Sequence, residues 1–237
     1  MHRRSFIKKS MAASFVSSFS LNFNREGCEI EVINAGVGGN NSSELLDRID
    51  ADCLAQNPDL TIVMVGTNDM NTRKYIPLEQ FDANLRKIIG MILRNGSELV
   101  IMNLLPVYEP YLFTRHDPDF YMPEGHSGRL RLMNSVIEKA ASALGVAMVD
   151  IHHVFQKAGN VGLDKTSWIR NEANSNTTDG LHPTAEGYRA IALTLYQHIK
   201  NNKLHFSRLV CFGDSITRGD GSTDGESYPA WLKKLLN

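Results

Sequence analysis

Ser215 follows Phe212-Gly213-Asp214 at the end of an apolar run. A serine at the carboxyl end of a strand can turn its hydroxyl into the crevice where an open α/β sheet presents its ligands. Gly213 lets the chain turn there without a Cβ clash. The same residues also suit an ordinary turn in which Ser215 caps a helix. Asp179-Gly180-Leu181-His182-Pro183 places a carboxylate and an imidazole three residues apart, with a glycine between them. If the chain turns at Gly180, the carboxylate accepts from one ring nitrogen and leaves the other free as a base. A helix-capping Asp beside a surface His is the plainer alternative. Gly66-Thr67-Asn68-Asp69 comes straight after the apolar run Leu60–Val65. The Asn68 amide could donate to a developing oxyanion, or the segment could be a polar turn. Asn34-Ala35-Gly36-Val37-Gly38-Gly39-Asn40 exposes backbone N–H groups to a ligand. It lacks a Walker lysine, and Asn41 holds the third position of a dinucleotide fingerprint, which argues against nucleotide binding.

Five apolar runs must position these segments: Ile30–Ile33, Leu60–Val65, Leu99–Leu105, Val146–Ile151 and Leu209–Phe212. They are rich in Val, Ile and Leu and do not alternate with polar residues, as expected of parallel strands covered on both faces. Helical spacing lies between them. Leu78, Phe81, Leu85, Ile88 and Ile92 form one helix, ended by Asn95-Gly96. Leu130, Met133, Ile137, Ala141 and Leu144 form a second, closed by Gly145. Tyr188, Ile191, Leu195 and Ile199 form a third behind Pro183-Thr184. Leu45, Ile49 and Cys53 mark a short helix behind Ser42 or Ser43, and Pro229, Trp231, Leu232 and Leu235 mark a last one. Strands alternating with helices predict a doubly wound, three-layer α/β/α domain over residues 23–237. Two long loops, Pro106–Gly128 and Val154–Asp179, have the length of functional loops.

The four segments together resemble the SGNH hydrolases, also called the GDSL lipase/esterase family. Gly213-Asp214-Ser215-Ile216 is similar to the family's first block, Asn34–Gly39 to its second, Gly66-Thr67-Asn68-Asp69 to its third and Asp179-x-x-His182 to its fifth. The resemblance implies a five-stranded parallel sheet of flavodoxin-like type. It also implies a serine esterase with no cofactor or metal, in which Ser215 is the nucleophile, His182 the base and Asp179 the residue that orients it. The implied oxyanion hole is the Ser215 N–H, the Gly39 N–H and the Asn68 side chain, with Asp214 structural. In the family the serine block comes first; here it comes last, so the chain resembles a circular permutant. Residues 25–28 and 235–237 should then be neighbours, which the usual closeness of domain termini permits.

The 25 Lys and Arg against 26 Asp and Glu give a net charge of −1, which argues against a nucleic-acid partner. No apolar run reaches the length of a membrane span. Residues 1–22 carry Arg3, Arg4, Lys8 and Lys9 ahead of a mildly apolar Ser/Ala-rich stretch, the layout of an export signal. Arg-Arg-Ser-Phe-Ile-Lys resembles a twin-arginine signal and implies a periplasmic or extracellular protein; a retained amphipathic helix would leave it cytoplasmic. Export, with the family's frequent role in deacetylating glycans, favours a carbohydrate O-acetylesterase, acting on a small-molecule or oligosaccharide ester with short acyl (acetyl) groups. The alternatives are a lysophospholipase or thioesterase and a non-catalytic glycan-binding module. Tyr108, Tyr111, Phe113, Phe120 and Tyr121, with Arg115 and His126, suit either a sugar-binding rim or a lid that packs its own aromatics. Asp150-x-His152-His153 is a weak metal motif without a third ligand, and Cys28, Cys53 and Cys211 are too scattered for a disulfide scaffold.

Overall fold

The computed structural model describes residues 29–237. The chain runs β1 (Glu31–Gly36), α1 (Ser42–Asp52), β2 (Leu60–Met64), α2 (Leu78–Arg94), β3 (Glu98–Met102), α3 (Glu109–Leu112), α4 (Gly125–Leu144) and β4 (Ala147–Val149). It continues through α5 (Ile151–Ala158), α6 (Glu172–Ser175), α7 (Ala185–Asn201), β5 (Arg208–Gly213), α8 (Ser215–Arg218) and α9 (Tyr228–Leu236). The five strands among the described residues pair in parallel, in the order β1-β5-β2-β3-β4. The last strand of the chain therefore sits inside the sheet, between the first two.

Side chains of a strand alternate between faces, and both faces are covered. Val63, Val210 and Phe212 pack with Leu45, Ile88 and Ile137, from α1, α2 and α4. Leu60, Ile62, Leu209 and Cys211 pack with Phe155, Ile191 and Leu232, from α5, α7 and α9. Every residue of β2 is buried, which explains why that strand reads as an unbroken apolar run.

The helix starts depart from expectation in two places. The cap of α1 is Asn41 rather than Ser42 or Ser43: its side chain accepts from the Glu44 N–H while Glu44 accepts from the Asn41 N–H. Helix α4 begins at Gly125, ahead of the first apolar position of its stripe. The expected loop from Val154 begins inside α5, a short helix whose start is set by Asp150. The Asp150 carboxylate accepts from the His153 N–H and the Asn103 amide, and His152 Nδ1 lies 2.8 Å from the Leu104 carbonyl. The motif with a weak metal reading is thus the capped start of a helix. Cys53 and Cys211 are buried free thiols; Cys28 and the export segment 1–22 lie outside the described residues. No helix among the described residues is long and apolar enough to cross a membrane.

The expected closeness of residues 25–28 to 235–237 also falls partly outside the described residues. The next residues inward do meet the other end of the chain. The Ile30 N–H donates to Asn237 Oδ1 at 2.7 Å, Asn237 Nδ2 donates to the Ile30 carbonyl at 3.1 Å, and Lys233 pairs with Glu29 at 3.1 Å.

Candidate active site

Strand β5 ends at Gly213, where a Cβ would overlap the Met64 carbonyl of β2 and the Thr217 hydroxyl. The chain enters α8 at once. Asp214 caps it by accepting from the Ile216 N–H at 2.9 Å, and Ser215 is its first residue. As a first-turn residue, Ser215 has an N–H with no intrahelical carbonyl to serve. Its hydroxyl lies 3.1 Å from His182 Nε2.

His182 is held from behind. Its Nδ1 lies 3.1 Å from both carboxylate oxygens of Asp179. Asp179 Oδ1 also accepts from the Leu181 and His182 N–H groups, at 3.1 and 3.0 Å, so the four residues close into a tight turn. Gly180 makes that turn possible: its φ is +72°, and a Cβ would press on the Tyr108 carbonyl and Tyr111 Cβ at 2.8 Å. Thr184 then caps α7. Burial alone would raise the Asp179 carboxyl, but the His182 side-chain bond, the imidazole charge and the two N–H groups hold it down at about 2. The carboxylate therefore stays ionised throughout the neutral range.

Two arginines complete this side of the site. Arg170 Nη1 donates to Asp179 Oδ2 at 3.0 Å, and the Arg170 N–H donates to the His182 carbonyl at 3.0 Å. Arg115 reaches from the loop after β3 and donates to the carbonyls of Thr178 (2.7 Å) and Asp179 (2.5 Å). Arg170 has no sequence signal: it lies in a long loop, and the bridge between Ile169 and Pro183 that brings it in joins segments with no shared periodicity.

Asn68 and Gly39 face Ser215 from the loops after β2 and β1. The Asn68 amide is oriented by its neighbours. Its Oδ1 accepts from Asn71 at 3.1 Å, and its Nδ2 lies 2.9 Å from the Asn40 carbonyl and 3.5 Å from Asp214 Oδ2. Asp69 accepts from the Ser42 N–H at 3.0 Å, tying this loop to the start of α1. Arg48 of α1 has no signal in the sequence, yet it joins β1 and the loop after it to the end of β5. It donates to the Ala35 carbonyl, the Asn40 side chain and the Gly213 carbonyl, at 2.9, 2.7 and 2.7 Å, and lies 4.5 Å over the Phe212 ring. Burial pushes the Asp69 carboxyl up to about 6 and that of Asp214 up to about 7, in each case against the lowering effect of neighbouring N–H donors.

Ser215, His182, Asp179, Asn68 and Gly39 share one cleft of about 370 Å³, which Arg115, His116, Thr177 and Leu181 also line. Such a volume suits a small ligand or part of an oligomer. The loop after β3 sends Arg115 and His116 to this cleft and none of its aromatic rings. Phe113 and Phe120 pack against the buried Tyr121, which meets His126 edge-on at 5.0 Å. Of the two readings of these aromatics, the structure matches the loop that packs its own rings.

A profile of the GDSL-like lipase/acylhydrolase family matches residues 15–190, a stretch that stops short of Ser215. An uncharacterized lipoprotein of Bacillus subtilis, YqeF, is 24% identical over 174 residues, covering 67% of this chain and 72% of that protein. An acetylxylan esterase of Geobacillus stearothermophilus is 32% identical over 68 residues, 25% of this chain and 31% of the esterase. The solved structure of an acetyl xylan esterase, AlAXEase, superposes with a TM-score of 0.55 at 19% identity, covering 70% of this chain and 79% of that one. At that identity the likeness is one of fold.

Proposed function

The chain belongs to the GDSL-like lipase/acylhydrolase family and is a carboxylic ester hydrolase, and on that premise we propose that Ser215 is its nucleophile and that it removes acetyl groups from carbohydrate. The observation that carries the proposal is the line from the Ser215 hydroxyl to His182 Nε2 at 3.1 Å, with the ionised Asp179 on the other ring nitrogen. His182 takes the Ser215 proton as the oxygen attacks the ester carbonyl. The Ser215 N–H, the Gly39 N–H and the Asn68 amide receive the oxyanion. His182⁺ then protonates the leaving alcohol, and water enters by the reverse route to release the acid. Asp179 and Arg170 hold the imidazole in the tautomer and orientation that this exchange needs.

The lining supports a short acyl group. Leu181 is the one aliphatic side chain larger than alanine among the residues that form the cleft. A long acyl chain would find little apolar surface, and each methylene left in water forgoes about 0.8 kcal/mol. Two of the relatives are themselves called acetylxylan esterases, which supports the sugar. The basic and then apolar start of the sequence, and a relative called a lipoprotein, support export. A fluorophosphonate probe is expected to add one mass label, on the peptide that holds Ser215, and p-nitrophenyl acetate to be cleaved at least tenfold faster than the octanoate. An unlabelled Ser215 would instead favour a glycan-binding module, and a preference for octanoate a lipid esterase.

We further propose that the chain is a circularly permuted member of the family. Numbered with the Ser215 strand first, the sheet order β1-β5-β2-β3-β4 becomes 2-1-3-4-5, the flavodoxin-like order. The family profile ends before that strand, and Asn237 is hydrogen-bonded to Ile30. A variant that joins Asn237 to Glu29 through a short Gly/Ser linker, and opens the chain between Asn202 and Lys203, is expected to fold and to keep kcat/KM within about threefold. Loss of the native circular dichroism spectrum in that variant would count against the permutation.

A further inference from the structure

Beyond Asn68 the cleft continues into a second hollow of about 310 Å³. The two share Gly39, Asn68, Asn71, Arg115 and His116, so one ligand can occupy both. The hollow adds Arg73 and Lys74, and the charge of the cleft changes along its length. At the Ser215 end the acidic groups are each matched: Asp179 by Arg170, and Asp220 by Arg218. At the far end Lys74 is matched by Glu44. Arg73 and Arg115 have no carboxylate partner among the described residues; Arg115 donates only to backbone carbonyls.

Local structure builds this end. Asn71 Oδ1 accepts from the Arg73 and Lys74 N–H groups, both at 3.0 Å, a turn that presents the two cations immediately after the segment bearing Asn68. His116 lines the same hollow, its Nδ1 2.8 Å from the Thr72 hydroxyl. Burial first, then the charges of Arg115 and Arg73, push the His116 imidazole below its usual range, as expected where the potential is positive. Two exposed guanidinium groups without carboxylates, on the lining of a concave site, form a natural receptor for a planar carboxylate.

We propose that this hollow is a subsite for a sugar carboxylate, so that the preferred substrate is an acetylated oligosaccharide bearing a uronic acid beside the acetylated residue. The proposal rests on the esterase reading of Ser215 and adds the class of glycan. A carboxylate bound at Arg73 and Arg115 would hold the neighbouring ring over Ser215, and its contribution would appear mainly in KM.

The test compares acetylated xylo-oligosaccharides bearing a glucuronate side group with the same material after reduction of the carboxyl to the alcohol. The full-length enzyme is expected to favour the acidic substrate about tenfold in kcat/KM, as for one charge-assisted hydrogen-bonded pair. Arg73→Gln, at an exposed position, should reduce that ratio to near one. Raising the salt to about 1 M should reduce it in the unmodified enzyme, because screening acts over a few ångströms there. Equal rates on the two substrates, or an unchanged ratio in Arg73→Gln, would overturn the subsite and leave the esterase standing. Failure of the unmodified enzyme to cleave p-nitrophenyl acetate would instead remove the esterase reading itself.

Discussion

Ser215→Ala is expected to lower kcat/KM on p-nitrophenyl acetate by on the order of 10⁵-fold, because the hydroxyl and its base act as a unit and little survives the loss of either. The protein should fold almost as before. The mutation deletes one oxygen that is bonded to His182 at 3.1 Å, and His182 is exposed enough for water to serve its freed nitrogen. The loss of stability should therefore stay near 1 kcal/mol, readable as a shift of a few degrees in Tm. His182→Ala should be equally inactive, and the double variant no worse than either single one. Ser215→Ala with half the normal rate would remove the nucleophile assignment.

Asn68→Ala carries the next largest effect. One preorganised oxyanion donor is worth about 3 kcal/mol, so kcat should fall on the order of a hundredfold or more while KM changes by less than about threefold. Alanine also releases Asn40 and Asn71, which bond the Asn68 amide. Asn68→Asp goes further than alanine. It keeps the Oδ1 acceptor for Asn71 but sets a negatively charged acceptor against the Asn40 carbonyl and the Asp214 carboxyl that the amide now faces. If the donor matters, Asn68→Asp is at least as slow as Asn68→Ala, and the repulsion should also lower its Tm below that of Asn68→Ala. A fall confined to KM in both variants would show that Asn68 binds substrate without favouring the transition state.

How much of this was legible in the sequence varies with the range over which a residue acts. The central strands are legible because burial on both faces leaves an uninterrupted apolar run, as in Leu60–Met64, while the edge strands β1 and β4 are only partly buried and show as shorter runs. Ser215, Asn68 and Gly39 are legible because each follows such a run at the carboxyl end of a strand. Asp179 and His182 are legible because they act through one turn, and Gly180 marks it. Helix α5 is harder to read because its first residue closes the apolar run Val146–Ile151, although Ile151, Val154, Phe155 and Ala158 keep the i, i+3, i+4, i+7 spacing of a short helix.

The chain order of β5 and its place in the sheet are independent, because pairing depends on which edges meet in space and not on when a strand is made. Sequence by itself therefore determines which elements form and which polar side chains stand at their ends, both being matters of local pattern. Tertiary structure alone decides what those side chains meet. Arg48, Arg115 and Arg170 reach the site on long flexible stems, from a helix face and two loops, and nothing near them in sequence records the carbonyls and carboxylate they find. The 3.1 Å between Ser215 and His182 belongs to that second kind of fact, since it depends on β5 lying beside β2 while α7 packs beneath.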